Sequence, residues 1–98
     1  MSFGNKQQSS EMSQKKLTKR RGQYQVVLMD DAVNTVDHVV DCLIEICGHN
    51  YYQAVQCATI THNNKQCSVF VDSYDLCLDI CEDLINQGLN VTVIKQTK

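Results

Sequence analysis

The sequence predicts an α+β fold: a compact β-α-α-β-α-β sandwich with a three-stranded antiparallel sheet packed against three helices. Three observations carry this. Short runs rich in β-branched residues begin at Tyr24, Gln66 and Asn90. The segments between them repeat apolar residues every three or four positions, the helical period. Polar capping residues open those segments, and glycines or an Asn-Asn pair close them.

The chain divides by composition. Residues 1–23 are rich in Ser, Gln and Lys without a sustained apolar period, and read as a disordered basic N-terminal extension. Residues 24–98 form the folded domain. Tyr24 to Met29 is nearly continuously apolar, as expected of a central strand covered on both faces. Asp30 and Asp31 end it. Asn34 or Thr35 caps the first helix; with Asn34 as the cap, Asp37 completes a variant capping box. The predicted buried stripe is Val36, Val39, Val40, Leu43, Ile44 and Cys47, and Gly48 stops the helix. Asn50 and Gln53 form a second capping box, ahead of a face of Tyr51, Ala54, Val55, Ala58 and His62. This helix ends near His62-Asn63-Asn64. The strand from Gln66 to Val71 follows. Asp72 or Ser73 then caps a third helix with the stripe Leu76, Cys77, Ile80, Cys81, Leu84 and Ile85, ended by Gly88. Asn90 to Lys95 is the last strand.

Charge and length narrow the function. The net charge of −2 conceals a basic extension and an acidic body. Residues 1–22 carry six basic side chains against one acid, and residues 23–98 three against ten. An acidic body repels phosphates, which argues against nucleic acid as a partner of the domain. No apolar run reaches the ~18 residues needed to cross a membrane, and no apolar signal core opens the chain, so the expected location is cytoplasmic. A chain of 98 residues with one folded domain suits a small binding module better than an enzyme with a deep cleft. Nothing in the chain signals an oligomer, so a monomer is expected.

Six cysteines, Cys42, Cys47, Cys57, Cys67, Cys77 and Cys81, lack the C-x-x-C spacing of a zinc site. Several fall on apolar stripes, so they read as buried thiols, with no metal and no cofactor expected. Stripe cysteines also make poor nucleophiles, and no glycine-rich phosphate loop is present, so no catalytic residue is assigned. A metal- or redox-responsive domain built on these thiols is the reading left from another class. His38 and His49 read as surface residues. The distinctive feature is a pair of carboxylates, Asp30 and Asp31, at a strand end. If the first two helices pack side by side, Val36, Val39, Ala58, Thr61 and His62 converge on them. A pocket with an acidic mouth and an apolar floor suits a ligand with an ammonium head and a hydrophobic body.

The segments "YQVVLMDD", "NTVDHVVDCLIEICGH", "AVQCATITH" and "CSVFVDSYD", in this order, resemble the ClpS adaptor family over residues 24–95. The resemblance implies a non-enzymatic adaptor that binds N-degron peptides and proteins and delivers them to the N-terminal domain of an AAA+ Clp unfoldase. It implies that Asp30, Asp31 and His62 hold the free α-amino group. Asn34, Val36, Val39, Ala58 and Thr61 then form the side-chain pocket and backbone contacts. The chain departs from the family's Asn-Asp-Asp turn: Asp30 stands for the Asn, Asp31 matches the first Asp and Ala32 replaces the second. Val36 stands at a gatekeeper position usually held by a larger residue. Ala58 and Thr61 imply a wider, more polar pocket. The alternative implied by these departures is a member that docks on the Clp ATPase as a modulator without reading N-termini.

Overall fold

A computed structural model of the protein describes residues 23–96. Apart from Gln23, the expected basic extension lies outside the described residues. The elements are β1 (Tyr24–Met29), α1 (Val36–Cys47), α2 (Tyr51–Asn64), β2 (Gln66–Asp72), α3 (Tyr74–Asn86) and β3 (Val91–Lys95). This is the expected α+β order.

The sheet order is β2-β1-β3, with both pairings antiparallel. The most apolar strand therefore takes the centre, where Val26, Val27 and Leu28 are buried in succession. Val26 and Leu28 join the helices' buried residues in one core. The opposite sheet face carries Gln25 between Val71 and Ile94, both exposed. The β1–β2 register shifts between Val26 and Val27, whose partners are Phe70 and Ser68, leaving Val69 as a bulge. His49 Nε2 donates to the Val69 carbonyl at 2.7 Å. His49 is thus a half-buried brace of the bulge and not the expected surface residue. His38 is likewise half-buried, and its Nε2 donates to Gln87 O at 2.8 Å.

Helix ends follow local chemistry, with one correction. Thr35, not Asn34, caps α1: its hydroxyl accepts from His38 N at 3.1 Å. The box of Asn34 with Asp37 does not form: the Asn34 backbone N–H that Asp37 would accept from donates to Asp31 Oδ1. Gly48 takes the left-handed conformation that ends α1. Asn50 and Gln53 make the expected reciprocal box, at 2.8 and 3.0 Å. Ser73 caps α3. Beyond α3, Gly88 N donates to Ile85 O and Leu89 N to Leu84 O, a Schellman closure made possible by the φ of +88° at Gly88.

Leu28, Leu43 and Leu84 are the largest fully buried side chains. Five residues placed on the inward faces are instead exposed: Val36, Tyr51, His62, Leu76 and Ile85. Each lies in the first or last turn of its helix, beyond the reach of a three-stranded sheet. Cys42, outside the predicted stripe, is buried, with His38 Nε2 3.6 Å from its sulfur on the side of α1 that meets the end of α3.

All six cysteines are free thiols. Burial pushes the Cys47 and Cys57 thiols up to about 12. At pH 8 the thiolate fraction is then on the order of one in ten thousand. Both should resist iodoacetamide in the native protein and react once urea unfolds it, as read by peptide mass mapping. Rapid native labelling would revive a thiol-based function. Among the described residues, no group of three His, Cys, Asp or Glu is placed to hold a metal ion, and no helix is long and apolar enough to cross a membrane.

Candidate functional site

The end of β1 is pinned from two sides. Met29 N donates to Asn90 O at 2.8 Å and Asp30 N to Lys65 O at 2.9 Å. The chain then turns about the Asp31 side chain. Its Oδ1 accepts from Val33 N and Asn34 N, each at 2.8 Å, and its Oδ2 accepts from Asn34 Nδ2 at 2.9 Å. This is an Asx-type turn. The same Asn34 amide donates to Gly88 O at 2.9 Å, which ties the turn to the α3–β3 loop. The backbone N–H of Asn34, then its side-chain amide, then the N–H of Val33 hold the Asp31 carboxyl below its ordinary value of 3.8. Asp31 is therefore both a charge and the hub of the turn.

Asp30 is less committed. Its Oδ2 lies 3.9 Å from Lys65 Nζ in a loose pair. Its second oxygen has no protein partner among the hydrogen bonds of the described residues.

The antiparallel helices α1 and α2 bring the start of one beside the end of the other. Between them and the β1 turn opens a cleft of about 390 Å³. All eight residues expected at the site line it: Asp30, Asp31, Asn34, Val36, Val39, Ala58, Thr61 and His62. Leu28, Met29, Ala32 and Thr35 complete the lining. Ala58 and Thr61 are buried, Val39 is half-buried, and Val36 and His62 are exposed. Val36 is thus a rim residue. Thr61 adds less polarity than its composition implied, since its hydroxyl donates to Cys57 O at 2.8 Å. The cleft offers anionic acceptors beside an apolar wall, an arrangement that can hold a cation joined to a hydrophobic group.

Lys65 escaped the sequence reading. The available signal was its isolation as the only Lys or Arg between Arg21 and Lys95, three residues past His62. Its approach to Asp30 depends on packing the end of α2 against the end of β1.

The family model described as ATP-dependent Clp protease adaptor protein ClpS matches residues 19–92. No curated protein matches the chain. Among solved structures, the fold is similar to that of Agrobacterium tumefaciens ClpS2 bound to L-phenylalaninamide, with a TM-score of 0.76 at 17% identity. That likeness covers 79% of this chain and 100% of the ClpS2 chain. With the family model spanning most of its length, the chain belongs to the ClpS family of Clp protease adaptor proteins.

Proposed function

We propose that this adaptor binds the free α-amino group and large hydrophobic first side chain of an N-degron, and presents that substrate to the N-terminal domain of an AAA+ Clp unfoldase. The observation that carries the reading is the convergence of Asp30, Asp31 and His62 with Val36, Val39 and Ala58 on one cleft. The carboxylates supply acceptors for an ammonium group, and hydrogen bonds to a charged partner contribute about 1.5–3 kcal/mol each. The apolar wall receives the side chain, worth about 1.5–3 kcal/mol if fully buried. Asn34 lines the cleft, and its Oδ1 accepts no hydrogen bond among the described residues, so it can accept one from the peptide backbone. ClpS2, of similar fold, is bound to L-phenylalaninamide, which has both a free amino group and an aromatic side chain. Docking is assigned to the start of α3, where Tyr74 and Leu78 are exposed.

A second reading is favoured by one observation. Asp31 already accepts three hydrogen bonds from its own turn, Asp30 faces Lys65, and Ala32 offers no carboxylate. A site so occupied suits a modulator that docks on the Clp ATPase without reading N-termini. Fluorescence anisotropy separates the two. Labelled peptides beginning with free Leu, Phe, Tyr or Trp should bind at least tenfold more tightly than their acetylated forms and than a peptide beginning with Ala. Equal, poor binding of all of them up to high micromolar protein leaves the modulator reading standing.

A further inference from the structure

We infer that Lys65 is an internal competitor for the cleft's cation site: its ammonium neutralises Asp30 in the empty cleft, and a peptide's α-ammonium must share or displace it. This rests on the N-degron reading and adds a residue that sets how strongly that site binds.

The backbone holds Lys65 from both sides, next to Asp30 and Thr61 of the cleft lining. Lys65 N donates to Thr61 O at 2.8 Å, closing α2, and Lys65 O accepts from Asp30 N at 2.9 Å. The residue has a φ of +80°, a left-handed conformation that favours glycine over any residue with a Cβ. A lysine therefore occupies a helix-ending position where glycine would be less strained. It is also the only Lys or Arg between Arg21 and Lys95.

The side-chain geometry points the same way. Lys65 Nζ lies 3.9 Å from Asp30 Oδ2, and its side chain is 79% exposed against 29% for Asp30. A flexible, solvated ammonium can swing away without leaving a buried charge behind. Asp31 keeps room for one further donor, on Oδ2, because its Oδ1 already accepts from Val33 N and Asn34 N and its Oδ2 from Asn34 Nδ2. Asp30 is thus the carboxylate with the greater spare acceptor capacity, and Lys65 is its present counter-ion. With Lys65 in place the three charges sum to one negative unit, which a single α-ammonium balances. Without it the mouth carries two negative units and attracts the ligand more strongly.

The test uses the full chain and a labelled peptide with a free N-terminal Phe, beside its acetylated form. Lys65→Gln, which keeps a polar side chain and removes the charge, should bind the free peptide about two- to fivefold more tightly at low salt, the range of one exposed ion pair. The gain should shrink at about 0.5 M salt, where the screening length falls to a few ångströms. Lys65→Arg should show no gain, and the acetylated peptide should not distinguish the variants. If the wild type discriminates free from acetylated peptide but Lys65→Gln binds equally or more weakly, the competition is overturned alone; weaker binding would make Lys65 a residue that positions Asp30. If no variant discriminates the two peptides, the N-degron reading falls and takes this inference with it. Circular dichroism melts confirm that each variant is folded before binding is read.

Discussion

Asp31→Asn is expected to weaken binding of a free N-terminal Phe peptide by about ten- to a hundredfold while the fold stays intact. The magnitude is that of one hydrogen bond to a charged group, about 1.5–3 kcal/mol. The substitution separates the two roles of Asp31. An asparagine Oδ1 still accepts from Val33 N and Asn34 N, so the turn persists. The charge is lost, and so is the acceptor that faces Asn34 Nδ2. Asp31→Ala removes both acceptor oxygens, and with them all three hydrogen bonds, and should also lower stability by about 0.5–2 kcal/mol, the cost of losing a comparable cap. The pH dependence has a definite sign. A carboxyl held below its ordinary value adds stability that is complete above 3.8 and lost as pH falls through its lowered value. Peptide affinity should therefore be flat through neutral pH with respect to Asp31 and decline only in strong acid. Anisotropy titrations of the wild type and both variants check this. An Asp31→Asn affinity within twofold of the wild type would confine Asp31 to shaping the turn.

Leu43→Ala should cost about 3–5 kcal/mol of folding stability, the largest effect expected of one truncation here. Leu43 is fully buried on α1 within the core, and small domains have only about 5–15 kcal/mol in total. For a domain of this size, each kcal/mol shifts the melting midpoint by about 4–8 °C. A fall of roughly 12–40 °C follows, and the variant could be unfolded at 37 °C. Val36 supplies the contrast. It too was placed on the α1 stripe, yet it is 59% exposed at the rim of the cleft. Val36→Ala should change stability by no more than about 0.5 kcal/mol, while altering which first side chains the cleft prefers. Urea denaturation of the two variants measures the difference; a Val36→Ala loss near that of Leu43→Ala would mean the rim is part of the core.

The order of elements, both helix-stopping glycines and the Asn50–Gln53 box were legible in the sequence, because each depends on a period or on partners a few residues apart. Eight of the twelve cleft-lining residues were legible for other reasons: seven from their positions at the ends of β1, α1 and α2, and Asn34 from the resemblance to a family pattern. Their gathering in one cleft follows from the antiparallel packing of α1 and α2. What escaped was long-range. Asn34 Nδ2 donates to Gly88 O, 54 positions away, tying its side chain to the α3–β3 loop, while Thr35 caps α1. His49 braces a bulge in β2, 20 positions on. Lys65 meets Asp30 across the end of the sheet. Hydrophobic periodicity specifies which face of a helix turns inward, but not how many of its turns the sheet will cover. Hence Val36, Tyr51, Leu76 and Ile85 lie exposed on otherwise well-patterned helices. Local hydrogen bonding and periodicity set the elements; distances between residues far apart in the chain set which side chains meet at the cleft, since those contacts exist only once the sheet and helices have packed.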